Sequence, residues 1–176
     1  MRGTQRAKRV IGIDFAGAML LVGKAKIRSA GLSESIALVR GDATLLPLKD
    51  GSVDVVTIGF GIRNVEQPAV ACREIARVLR RNGKLVILEF STPRTAVVRD
   101  FYMWYFRYAL PLIGRVISRH PSAYTYLPES VEAFPSPDTF VAQVRAASLS
   151  TVKAVPLTFG IVYMFVAIKG DGPPSA

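Results

Sequence analysis

Short apolar runs that end in an acid or a glycine alternate along this chain with segments of helical period, and that alternation limits the fold more than any other feature. Residues 10–13 run into Asp14, and residues 36–39 lead to Gly41-Asp42-Ala43. A third run, 53–60, follows the turn residues Asp50-Gly51-Ser52, and a fourth, 84–90, is broken near its end by Glu89. Between them, 15–30 reads as a helix with apolar Met19, Leu20 and Val22, basic Lys24, Lys26 and Arg28, and Gly31 as its stop. Residues 68–79 read as a second helix, closed by a left-handed cap at Arg81-Asn82-Gly83. Strands alternating with helices predict an α/β fold with a mainly parallel sheet.

Beyond Pro93 the character changes. Residues 94–118 form a long helical stretch broken by Pro111, and 120–137 a connection rich in Pro and Tyr. A helix over 139–147 and two strands, 152–157 and 160–168, paired around Thr158-Phe159, are expected to close the sheet. Residues 170–176 read as a disordered tail.

Composition narrows the classes. The chain carries 23 Lys and Arg against 13 Asp and Glu, a formal +10, with half its residues hydrophobic and a mean hydropathy of +0.30. The basic residues lack the interleaved aromatics and module motif of a nucleic-acid binder, so no nucleic-acid partner is expected. A single cysteine, Cys72, excludes an internal disulfide framework and fits a reducing, cytoplasmic compartment. With His120 as the one histidine, no metal site is expected. The first nine residues have neither the apolar core of a secretory signal nor the length of a transit peptide.

The chemistry is expected where the strands end. In open α/β sheets, ligands lie beyond the carboxyl ends of the strands. An acid there accepts two ribose hydroxyls, the role expected of Asp14. A carboxylate after the next strand, Asp42, accepts from an adenine amino group while the Ala43 N–H reaches the ring. Gly59 and Gly61 would let backbone approach a ligand. Singly, each acid is better read as a cap or turn residue; the ordered set points to a nucleoside site.

Four segments then carry a resemblance: IGIDFAGAML, RGDATLLPLKDGSVDVVTIGFGIRNV, CREIARVLRRNGKLVILEFSTP and SAYTYLPESVEAFPSPDTF. From about Val10 to Lys169 the chain resembles the ubiquinone/menaquinone biosynthesis C-methyltransferases. That resemblance implies a class I, Rossmann-like fold and S-adenosyl-L-methionine as cofactor. It implies a single domain over 1–169 carrying an aromatic helical lid over about 94–137. The substrate implied is a polyprenylated benzoquinol or naphthoquinol, methylated at a ring carbon. Family members also have a first strand and a G-G-T-G-D type loop with no counterpart before Val10, so the expected domain is truncated before its second strand.

Carried over by position, Asp14, Asp42, Ala43 and the backbone of Gly59 would hold the cofactor, and Arg63 and Asn64 would face the substrate. Tyr126, Glu129 and Ser130 would lie on the substrate cover. Arg63 is the expected catalytic residue, stabilising the oxyanion of an ionised quinol hydroxyl, because a guanidinium is no neutral base. A structural salt bridge is the competing reading for Arg63, and His120 is a second candidate base.

Residues 101–108 hold Phe101, Tyr102, Trp104, Tyr105, Phe106 and Tyr108. Arg107, Pro111 and Arg115 argue against a membrane span, so the stretch is read as a lid lining a tunnel for the prenyl tail and resting on a membrane surface. A second copy of the chain stays open as a partner. The alternative function is a membrane-associated or partner-bound remnant that no longer binds cofactor, and a basic RNA methyltransferase is a third.

Overall fold

The computed structural model of this chain describes residues 9–93, 95, 100 and 130–170. It divides into two units, Met1–Pro47 and Leu48–Ala176.

The first unit is a β-α-β element: β1 (Val10–Asp14), α1 (Gly17–Ser29) and β2 (Ile36–Arg40). The two strands pair in parallel, from Val10 opposite Ile36 to Asp14 opposite Arg40. As expected, α1 stops at Gly31, which takes φ +68°. The Leu32 N–H donates to the Ile27 carbonyl at 3.0 Å and the Gly31 N–H to Arg28 at 3.1 Å. That pair of bonds satisfies the last carbonyls of the helix, and only glycine takes the required φ without strain. Of the apolar residues of α1, Leu20 is buried, while Met19, Leu21 and Val22 are exposed.

The second unit holds β3 (Val53–Gly59), α2 (Pro68–Val78), β4 (Leu79–Phe90), α3 (Pro137–Ala146), β5 (Leu149–Leu157) and β6 (Val162–Lys169). Its sheet runs β3-β4-β6-β5, with β3 and β4 parallel and both pairings of β6 antiparallel. The expected closing pair of strands is present. Its turn is a single 3₁₀ turn, Thr158–Gly160, in which Thr158 and Phe159 both take positive φ. Among the described residues, β1 pairs only with β2 and β3 only with β4.

Period-2 alternation along β4 and β6 builds the core. Leu85 and Ile87 on β4, and Tyr163, Phe165 and Ala167 on β6, are buried. Phe140 of α3 packs on Phe134 and Phe165 with ring centroids 5.0 and 4.9 Å away. α3 begins two residues earlier than the expected 139, because Ser136 caps it, accepting from the Thr139 N–H at 3.3 Å, and Pro137 fills the first turn.

The junction of α2 and β4 departs from the sequence reading. A loop was expected between a helix ending at 79 and a strand starting at 84, but β4 begins at Leu79, directly after α2. Leu79 pairs with Val53 and Lys84 with Val55, so Arg80–Gly83 is looped out of register. Asn82 does adopt the left-handed conformation, φ +59°, but inside this irregularity of β4. Lys169 Nζ donates to the Leu79 carbonyl at 2.7 Å and to Arg77 at 3.4 Å, satisfying carbonyls at the end of α2. Arg77 in turn binds Glu74 and Asp50, which raise its affinity for its proton, and the Leu48 carbonyl. Among the described residues no helix is long and apolar enough to cross a membrane.

Two measurements follow from this packing. A Cβ at Gly83 would lie 2.7 Å from the Arg80 carbonyl oxygen, so Gly83→Ala should cost about 1–3 kcal/mol in urea unfolding. Burial pushes the Cys72 thiol up to about 11 against the opposing charge of Arg73. Iodoacetamide at pH 8 should therefore label the native chain far more slowly than the urea-unfolded chain.

Candidate functional site

In the first unit the two predicted acids lie at the same edge. Asp14 ends β1, and Asp42 follows two residues after Arg40, the β2 partner of Asp14. The Gly41 N–H continues the ladder to the Asp14 carbonyl at 3.1 Å. Asp14 Oδ1 accepts from the Ala16 N–H at 2.8 Å, orienting the carboxylate ahead of α1. Asp42 Oδ1 accepts from both the N–H and the hydroxyl of Thr44, each at 2.7 Å. Those two bonds hold the Asp42 carboxyl below its ordinary value, so it is an anion throughout the neutral range. Each carboxylate keeps its second oxygen without a partner among the described residues, and so does the Ala43 N–H. The first unit thus presents two carboxylate acceptors and a backbone donor at the carboxyl edge of its strands, groups able to pair with hydroxyl and amide donors and with a ring acceptor.

In the second unit residues 60–64 follow Gly59, the carboxyl end of β3. Gly59 pairs with Leu88 of β4, and a Cβ there would meet nothing within 4 Å. The unusual backbone belongs instead to Phe60, at φ +56°. Its N–H donates to the Leu88 carbonyl at 2.8 Å, and its ring lies 4.6 Å from that of Phe90. A bulky side chain in this region is rare and needs its surroundings to hold it. Fully buried Ile62 anchors the 3₁₀ turn Ile62–Asn64 that follows.

Arg63, in that turn, reaches Glu89 near the end of β4. Nη1 donates to Glu89 Oε1 at 2.6 Å and to the Phe60 carbonyl at 2.6 Å, and Nε donates to Ser130 Oγ at 3.2 Å. The Arg63 backbone N–H donates to Glu89 Oε2 at 3.2 Å, and the Phe90 N–H to Oε1 at 2.9 Å. The Arg63 side chain is 9% exposed and that of Glu89 is 0% exposed. The guanidinium carbon also sits 5.6 Å from the centre of the Phe90 ring.

The predicted residues thus fall into two groups. Asp14, Asp42 and Ala43 share the carboxyl edge of the first unit; Gly59, Arg63, Asn64 and Ser130 lie in the second, with Ser130 bonded to Arg63. Tyr126, Glu129, His120, the aromatic stretch 101–108, most of the lid expected over 94–137 and residues 171–176 of the tail lie outside the described residues. The sequence reading missed Glu89 and Phe60. A signal for the first was there: in the alternation Leu85, Ile87, Glu89, the acid takes a core position, and a buried carboxylate demands a cation.

Comparison with known proteins identifies the family. The profile of the ubiE/COQ5 methyltransferase family matches residues 2–169. The ubiquinone/menaquinone biosynthesis C-methyltransferase UbiE of Geobacter sp. strain M21 is 42% identical over 166 residues, covering 94% of this chain and 70% of that protein. A demethylmenaquinone methyltransferase of Bacillus cytotoxicus is 38% identical over 162 residues, covering 92% and 68%. Among solved structures, the YcgJ protein of Bacillus subtilis superposes with a TM-score of 0.64 at 18% identity, covering 94% of this chain and 84% of that one. A SAM-dependent methyltransferase from Aquifex aeolicus gives 0.63 at 17%, covering 92% and 69%. These likenesses show the expected α/β, Rossmann-like fold of class I methyltransferases.

Removing one partner of the buried pair strands the other. Arg63→Ala should lower unfolding stability by about 3–5 kcal/mol. The double variant Arg63→Ala/Glu89→Gln should recover part of that loss in the same denaturation series, since it leaves no unpaired charge.

Proposed function

Because the chain belongs to the ubiE/COQ5 methyltransferase family, we propose that it transfers a methyl group from S-adenosyl-L-methionine to a ring carbon of a polyprenylated quinol in menaquinone or ubiquinone biosynthesis. The observation that carries this reading is 42% identity over 94% of the chain to a protein of that name.

The residues present fit the cofactor's nucleoside. Asp14 offers the ribose hydroxyls its unused oxygen, while Asp42 and the Ala43 N–H offer the adenine an acceptor and a donor. Bound, S-adenosyl-L-methionine supplies an electrophilic methyl on a sulfonium. The acceptor carbon becomes nucleophilic when a neighbouring quinol hydroxyl ionises. Arg63 stabilises that oxygen through Nη2, which has no partner among the described residues. A guanidinium is no neutral base, so proton removal is not assigned to Arg63.

Asn64, Ser130 and Tyr126 are assigned to the substrate side. The aromatic stretch 101–108 supplies apolar surface for the prenyl tail, and with its flanking arginines suits the inner membrane surface of a cytoplasmic enzyme.

Calorimetric titration with S-adenosyl-L-methionine tests the reading. The wild-type chain should bind, and Asp14→Ala should weaken binding at least about tenfold, the loss of one hydrogen bond to a charged acceptor. A folded chain that gives no heat would overturn the reading in favour of a remnant without cofactor binding.

A further inference from the structure

Stability does not account for the charge at Glu89. Its side chain is 0% exposed and continues the buried row of Leu85 and Ile87 on β4. At such a position a well-packed apolar pair is usually as stabilising as an ion pair, or more so. The contacts indicate another use. Both carboxylate oxygens act on one residue, Oε1 accepting from Arg63 Nη1 at 2.6 Å and Oε2 from the Arg63 backbone N–H at 3.2 Å. Glu89 therefore fixes the main chain and the side chain of Arg63 together.

The remaining donors complete the restraint. Nη1 also donates to the Phe60 carbonyl, and Nε to Ser130 Oγ. A guanidinium is planar, so fixing Nε and Nη1 also fixes the direction of Nη2. Among the described residues Nη2 has no partner, in a side chain only 9% exposed. The strained Phe60 belongs to the same assembly, since its carbonyl is held by the arginine that Glu89 orients.

We infer that Glu89 is the positioning residue of this site, holding Arg63 by backbone and side chain so that only the Nη2 edge is offered to an ionised aromatic hydroxyl. The inference rests on the proposed role of Arg63 towards the quinol oxygen. Glu89 does not touch the acceptor; it decides where the cation points. A mere neutralising counter-ion would act in the opposite sense, because removing its charge would strengthen attraction for an anion.

The test uses the full chain, ¹⁵N-labelled at arginine, with 4-nitrophenolate as the probe at pH 8. In the wild type, one arginine that disappears from the spectrum in Arg63→Lys should show separately resolved Nη1 and Nη2 protons, and the probe should shift only those of Nη2. In Glu89→Gln these protons should merge through rotation, and nitrophenolate should bind about tenfold more weakly despite the added positive charge. Glu89→Asp should restore part of both signals, and it replaces Glu89→Gln as the comparison should the latter not fold. Averaged Arg63 protons in the wild type, or tighter nitrophenolate binding in a folded Glu89→Gln, would overturn the inference. Resolved protons that depend on Glu89 but ignore the probe would keep the positioning and overturn the role of Arg63 towards the quinol.

Discussion

A carboxylate in a core row is the constraint around which the second unit is organised. Glu89 follows Leu85 and Ile87 on the buried face of β4 and has no access to water. An ionised group there must be matched by donors, and three N–H groups supply them. Two belong to Arg63, which can reach Glu89 only because β3 and β4 run parallel in the register that sets Gly59 opposite Leu88. The left-handed turn at Phe60 and the 3₁₀ turn after it bring Arg63 back over β4. The pair thus joins the end of β4 to the loop after β3, and through Ser130 to the residues that precede α3.

The first unit meets the same difficulty with less burial. Asp14 and Asp42 are exposed, so water supports their charges and neither needs a cation. Local N–H groups orient each carboxylate through one oxygen and leave the other without a partner among the described residues. Charge is therefore handled differently in the two units: exposed carboxylates oriented by local N–H groups in the first, and a buried ion pair in the second.

Much of this was legible beforehand. Strand and helix periodicity placed β1 to β6 and α1 to α3, though not the 3₁₀ turn Ile62–Asn64 or the helical residues 130–133, and Gly31 announced the end of α1 because its φ of +68° is open to glycine and costly to other residues. The positions of Asp14 and Asp42 at strand ends were readable because a strand end is a local feature and the acid that follows it is local too. Other features were hidden for stated reasons. The looped-out Arg80–Gly83 looks like a helix cap in sequence; only the pairing of Leu79 with Val53 turns it into an irregularity of β4. The two glycines flanking Phe60 suggested that backbone freedom lay with them, whereas Phe60 itself carries the left-handed turn, its N–H donating to Leu88 and its carbonyl accepting from Arg63.

By itself the sequence determined the kind of fold and which acids stand at its strand ends, because periodicity, turn residues and the acids after strands act over a few residues. It left two readings of Arg63 open, oxyanion group or salt bridge. The tertiary structure decided how that residue is held: it is paired with Glu89, 26 residues away along the chain, and still keeps its Nη2 edge without a partner among the described residues. The pairing depends on the register between two strands and on the burial of one carboxylate. Neither quantity is local, so neither could be read before the chain was folded.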